Sequence, residues 1–185
     1  MPNTFELIKT TTLTSAQSSV NFTSTDYGNY DDFCVMSSAK TDATSASFVN
    51  DSIKFVINGD TSTTYYRGFR MYQTGGTVGG DEHNTSSNAY GYSSYINFNS
   101  NPSNAFSNNL MYITNNKNTD FPKTVLAHGY MSTNLAGTTP NPYQYASVTG
   151  NIWNTPIITS LVLSPLNGTN FVSGSSFSLF GIKYT

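Results

Sequence analysis

Chemistry needs convergent side chains, and this chain offers few. It has two histidines, one cysteine and ten carboxylates in 185 residues. The densest polar cluster is Asp81-Glu82-His83, within the Gly-rich stretch GGTVGGDEHNTSSNA (75–89), which reads as a loop. Three consecutive residues there could wrap an ion, but the spacing fits neither a zinc site nor an EF-hand loop. His128, in KTVLAHGYMS, falls mid-strand and reads as a packed, hydrogen-bonded residue. Two histidines leave a hydrolase triad few bases to choose from. Glycosidase chemistry wants two acids facing each other across a cleft. Here Asp26, Asp31, Asp32, Asp42, Asp51, Asp60, Asp81, Glu82 and Asp120 sit mostly in turns, and Glu6 alone is clearly inside a strand. Cys34, in DDFCVMSSA, has no neighbouring cation to lower its pKa and reads as an inert core thiol. No G-x-S-x-G elbow, P-loop or G-x-G-x-x-G occurs. The expectation is a protein that is not an enzyme and uses no cofactor or metal.

Binding is the other option, and the aromatics carry it. NAYGYSSYINF places Tyr90, Tyr92 and Tyr95 close together, and NPYQYASV adds Tyr143 and Tyr145. Exposed tyrosine beside Asn and Ser is the chemistry of sugar platforms and of adaptable protein interfaces. The same residues also suit the core and rim of an ordinary β-sandwich. Arg67 and Arg70 fall on opposite faces of a strand, so one of them should meet a packed surface or its rim, as a salt bridge to Asp51 or Asp60 or as a ligand-binding arginine.

The elements that must position these residues are strands. Charged residues make up only 10% of the chain, while Ser, Thr and Asn supply roughly four residues in ten. Aromatics reach 14%, which separates the chain from disordered polar sequences. A net charge of −2 with eight Lys and Arg gives no basic stripe, which argues against nucleic acid as a partner. No apolar run is long enough for a membrane-spanning helix, and MPNTFELIKTTTL lacks the features of a signal peptide.

Helical periodicity is missing. Short runs rich in β-branched and aromatic residues recur instead, bounded by Gly, Asn, Asp, Ser and Pro. They predict strands at 4–13, 19–23, 32–40, 52–58, 64–72, 92–98, 109–114, 124–132, 145–153, 157–164 and 176–184. Ten to eleven strands without significant helix predict one all-β domain over 1–185, a two-sheet, jelly-roll-like sandwich. SIKFVINGDTSTTYYRGFRMY (52–72) reads as a hairpin turned at Asn58-Gly59-Asp60. In SFSLFGIKY, Phe177 and Leu179 alternate with Phe180 and Ile182, which predicts a central strand covered on both faces. Loops 75–89, 99–108 and 133–142 are long enough to be functional.

IITSLVLSPLNGTNFVSGSSFSLFGIKYT resembles the C-terminal module of small virion proteins of tailed bacteriophages, especially those of marine bacteria. FELIKTTTLTSAQSSVNFTS, YDDFCVMSSAKTD, SIKFVINGDTSTTYYRGFRMY, HGYMSTN and VTGNIWNTPIITS are similar to the same proteins in the same order, so the resemblance covers most of the chain. STDYGNYD (24–31) departs from the compact turn that the family places before its second core strand. The resemblance implies a β-sandwich on the surface of a virus particle, made in the bacterial cytoplasm. It also implies self-association, often as a trimer, and contact with the major capsid protein or other virion proteins. Two jobs are open: capsid decoration, or a tail or fibre component that touches a host-surface glycan. A first strand starting at residue 4, with no shaft before it, favours decoration as the expectation.

Overall fold

A computed structural model describes residues 4–44, 51–62, 67–74, 77–83, 89–98, 104–133 and 143–184; for 67–70, 72–74, 77–78, 81–83, 132–133 and 143–146 the description is of the backbone alone. The chain forms β1 (Thr4–Thr12), β2 (Val20–Thr23), β3 (Asp32–Ala39), β4 (Asp51–Ile57), β5 (Arg67–Thr74), β6 (Thr77–His83), β7 (Gly91–Ile96), β8 (Ser107–Thr114), β9 (Lys123–Thr133), β10 (Tyr143–Trp153), β11 (Ser160–Pro165) and β12 (Ser176–Lys183). One five-residue 3-10 helix, Thr25–Asn29, is the helical element among the described residues. It lies within the stretch STDYGNYD (24–31). Ser24 caps it by accepting from the Asp26 amide, and Tyr27 is buried.

Two antiparallel sheets result. The larger has eight strands in the order β1-β12-β3-β8-β9-β10-β5-β6, and the smaller has four in the order β2-β11-β4-β7. This is the expected two-sheet, all-β architecture. The two-residue strand period sorts side chains between the faces of the large sheet. Phe33, Val35, Met111, Ile113, Val125, Phe177 and Leu179 point inward and are nearly unexposed. They meet Val20, Phe22, Ile53, Phe55, Ile57, Leu161 and Leu163 of the small sheet in one continuous core.

Two expectations about connectivity are corrected. Residues 52–72 are not a hairpin: β4 pairs with β11 and β7 in the small sheet, while β5 pairs with β10 and β6 in the large one. The turn itself exists, with Asn58 at φ 53° and Gly59 at φ 66°. The Asn58 side chain fastens that turn to a distant segment, donating to the Ile157 carbonyl and accepting from the Thr159 and Ser160 amides. The chain therefore leaves the small sheet instead of folding back on it. The same contacts, with the Ile158 amide bonded to Asn116 Oδ1, delay β11 to Ser160 instead of 157. In the second correction, residues 77–83 form β6, paired along its length with β5, instead of a loop.

β12 is held on both edges, by β1 and β3. Its inward residues Phe177 and Leu179 are core, with Phe177 at 4.8 Å ring-centroid distance from Phe171. On its outward parity Phe180 is half-buried, between Leu7 and Cys34 in the register, while Ile182 is buried, so the second face is covered only toward the strand's end. At Gly181 the Tyr30 ring lies directly on the backbone, and an added Cβ would sit 2.1 Å from Tyr30 Cδ1.

Phe177→Ala should cost about 3–5 kcal/mol in chemical denaturation. Phe121→Ala, at a side chain 63% exposed in the turn before β9, should change stability by less than about 0.5 kcal/mol. Equal effects at the two positions would contradict this placement of the core.

Candidate functional site

All the described carboxylates but the exposed Asp26 and Asp120 are structural braces. Asp51 accepts from the Ser52, Asn167 and Gly168 amides. Asp42 accepts from the Thr169 and Asn170 amides and from Asn170 Nδ2. Together they hold the loop between β11 and β12. Asp60 accepts from Trp153 Nε1 at 3.0 Å and from the Ser62 amide. At the chain's C-terminal end, Asp31 accepts from the Tyr184 amide and pairs with Lys117 at 3.1 Å. Asp32 accepts from the Asn115 amide and from the Tyr184 hydroxyl, whose pKa is pushed up to about 12, chiefly by that bond. Glu6 is held below the usual carboxylate range by Lys183 and then Tyr30. Lys123 is fully buried, donates to the carbonyls of Asn118 and Thr155, and has its pKa lowered by burial.

Asp81, Glu82 and His83 lie on β6 and not in a loop, and a strand alternates its residues between two faces, which does not gather three neighbours around an ion. Among the described residues no His, Cys, Asp and Glu group is placed to hold a metal. Cys34 is buried, and burial pushes its thiol up to about 11. The side chains of Arg67, Arg70, Asp81, Glu82 and His83 lie outside the described residues.

The tyrosine platform is corrected as well. Tyr92 and Tyr95 are 8% and 6% exposed. β7 is buried along its whole length, because the small sheet's last strand is tucked against β9 and β10 of the large one. The Tyr95 amide donates to Ser147 Oγ, and Asn151 bonds both the amide and the carbonyl of Tyr92. Tyr90 is half-buried, packed edge-on against Tyr92 at 5.1 Å with the Lys54 ammonium 5.4 Å from its ring centre. Tyr143 and Tyr145 belong to β10, but their side chains lie outside the described residues. Most of the loop 133–142 also lies outside them.

The structure offers a different surface. Phe5 and Leu7 of β1, Met36 of β3, Met71 of β5, Leu126 and Tyr130 of β9, and Val148 and Ile152 of β10 are all exposed. The register places every one of them on the outer face of the large sheet. They are eight of the eleven exposed large apolar side chains among the described residues. One row runs straight across five strands as Met71, Val148, His128, Leu110 and Met36, ending at Ser178. A groove of about 1030 Å³ lies over it, lined also by Tyr130, Asn108, Ser38 and Ser176. His128 is therefore an exposed residue of this groove and not a packed one, because the odd-numbered positions of β9 take the core side. Among the described side chains no exposed carboxylate, lysine or arginine stands on this face. The sequence signal was there, since both parities of these strands carry apolar residues, but periodicity alone does not say which set faces out.

Comparison with protein families, curated proteins and solved structures finds no significant match to this chain. Fold and site define an all-β sandwich whose polar residues brace loops and whose large sheet turns outward a face with eight exposed apolar side chains and, among the described side chains, no exposed charge.

Burial raises the Asp42 pKa, but the hydrogen bonds from Asn170 and Thr169 together outweigh it and leave the value below normal. The unfolded value is about 3.9. Ionised Asp42 thus contributes stability that is present above that value and is lost as pH falls through the lower folded one. Asp42→Asn should cost about 1–3 kcal/mol at pH 7, and urea melts repeated in acid should show the gap to wild type closing. A gap that stays constant down to pH 2 would refute the assignment. Cys34 should resist thiol reagents in the native protein and react at once in denaturant.

Proposed function

We propose that this chain is a structural protein of a tailed-bacteriophage particle, a capsid decoration protein on the outer shell that works by packing and not by chemistry. The observation that supports this reading best is the row of exposed apolar side chains on the outer face of the large sheet, among whose described side chains none is an exposed charge. Most described acids spend their oxygens on backbone amides, neighbouring side chains and cationic partners, and what the surface offers is area for contact. A chain with 10% charged residues also repels its own copies weakly when many sit side by side. The setting rests on the resemblance of the strand motifs quoted above to those of small virion proteins.

A second reading is a tail-associated protein that binds a host-surface glycan. The groove favours it to the extent that Tyr130, at 48% exposure, stands beside Asn108 and His128. A sugar ring could pack on the tyrosine while the amide and imidazole bond its hydroxyls. Tyr92, by contrast, is a core residue whose replacement would test stability and not recognition.

Purified protein added to tailless capsids should bind at many copies per shell, and image reconstruction of the intact particle should place it on the capsid lattice. Binding to host cells and not to capsids, lost on Tyr130→Ala with the fold intact, would reject decoration in favour of the glycan reading.

A further inference from the structure

We propose that the outer face of the eight-stranded sheet is covered by the same face of a second copy, in a two-fold symmetric dimer. The inference builds on the reading that this protein works by packing, and three properties of the face single out another copy of the chain as its occupant.

The first is area. Eight strands spaced about 4.8 Å apart span about 34 Å, and strands of eight residues run about 26 Å. The face therefore covers roughly 900 Å², against the ~800 Å² per partner of a standard stable interface. A peptide or a short glycan would cover a fraction of it and leave exposed apolar groups at both ends, from Leu7 on β1 to Met71 on β5.

The second is charge. Partners chosen for opposite charge meet on charged faces. Here the described outward side chains carry no exposed carboxylate, lysine or arginine, and the positions that the register gives Arg67 and Glu82 on this side lie on β5 and β6, at one side of the sheet, so its central strands meet their own copy without like-charge repulsion. Its Met36, Met71 and Tyr130 are of the residue types enriched at protein interfaces.

The third is shape. β-sheets twist with a fixed hand, so a broad sheet presents a saddle, concave along one diagonal and convex along the other. A saddle turned over about an axis along its central strand direction lies flush on itself, the convex diagonal of each copy filling the concave diagonal of the other. Two sheets stacked in this way are the packing that sandwiches use internally. β8 and β9 are the fourth and fifth strands of the eight, so the axis passes between them, beside the Leu110–His128 pair. The third and sixth strands, β3 and β10, then lie across from each other, which sets Val148 of one copy against Met36 of the other.

The test is sedimentation and light scattering of the purified full chain. Wild type should run at twice its 20.1 kDa mass. Val148 and Met36 are 41% and 44% exposed, so charged residues there should leave the β-sheet circular dichroism unchanged. Val148→Arg alone and Met36→Glu alone should each weaken association at least tenfold. An equimolar mixture of the two variants should restore the dimer, because each Arg then meets a Glu across the interface. A monomeric wild type at tens of micromolar, a trimer, or a dimer indifferent to both variants would overturn the proposal. So would a monomer that binds host glycan through Tyr130, which would assign the groove to another occupant. Capsid binding is read separately, so decoration can fail while the dimer stands, and the reverse.

Discussion

The molecule depends on one contact: the inward face of an eight-stranded sheet pressed against a sheet half as wide. Where the two meet squarely, the core is apolar and large, with Phe33, Val35, Ile113, Phe177 and Leu179 against Phe22, Phe55, Leu161 and Leu163. Four strands cannot shield eight at full depth, and the chemistry changes toward β7. Ser94, Asn109, Ser147 and Asn151 replace the large apolar residues there and are still buried. Small side chains let the sheets approach closely: a Cβ on Gly129 would stand 2.6 Å from both Ser94 Cβ and Asn109 Oδ1. The edge strand β7 gains a second set of partners in this way, since Asn151 and Ser147 reach across to its backbone.

The same contact explains the absence of spare chemistry among the described acids. Long connections must cross between sheets of unequal width, and each leaves backbone amides that burial would otherwise orphan. Asp42, Asp51 and Asp60 supply the acceptors for the loops at 167–170 and 60–62. Asn116 does the same from the inside, donating to the Tyr27 and Tyr30 carbonyls and accepting from the Ile158 amide. A carboxylate saturated by amides is a poor base and a poor nucleophile, so these residues hold loops at the expense of reactivity.

The fold class was legible because strand formation here is a local matter of β-branched and aromatic runs between turn residues. The pairing was not, because it is decided over long separations. Asn58-Gly59 carries a genuine turn signal, but whether that turn closes a hairpin depends on Ile157, Thr159 and Ser160, about a hundred residues away. β6 was hidden by its composition: TVGGDEH has the glycines and acids of a loop and is a strand because β5 beside it supplies the ladder. Tyr92 and Tyr95 looked like a platform because a tyrosine's hydroxyl suits surface and core alike; burial was settled by where β7 lies. The outer face was illegible for the opposite reason. Met36, Leu126, Val148 and Ile152 look like core residues in a strand pattern, and only the register shows that Val35, Val125, Thr149 and Trp153 already fill the inward side.

An exposed apolar sheet face is a hazard unless association through it stops at a defined size. The sheet's edges bear on that. β1, at one end of the large sheet, has a bulge between Leu7 and Lys9 and carries a lysine there, and both features discourage a further strand from adding. β6, at the other end, contains Gly79 and Gly80 followed by Asp81 and Glu82, a poor template for strand addition. In the small sheet β2 is only four residues long, and β7 is buried against the large sheet. Growth edge to edge is thus opposed at each end of both sheets, while the outer face carries no such protection. Association through a two-fold face consumes that face in both partners and closes. A sheet blunted at its edges and apolar on its open face thus favours the closed two-fold pairing proposed above over edge-to-edge growth into a fibre.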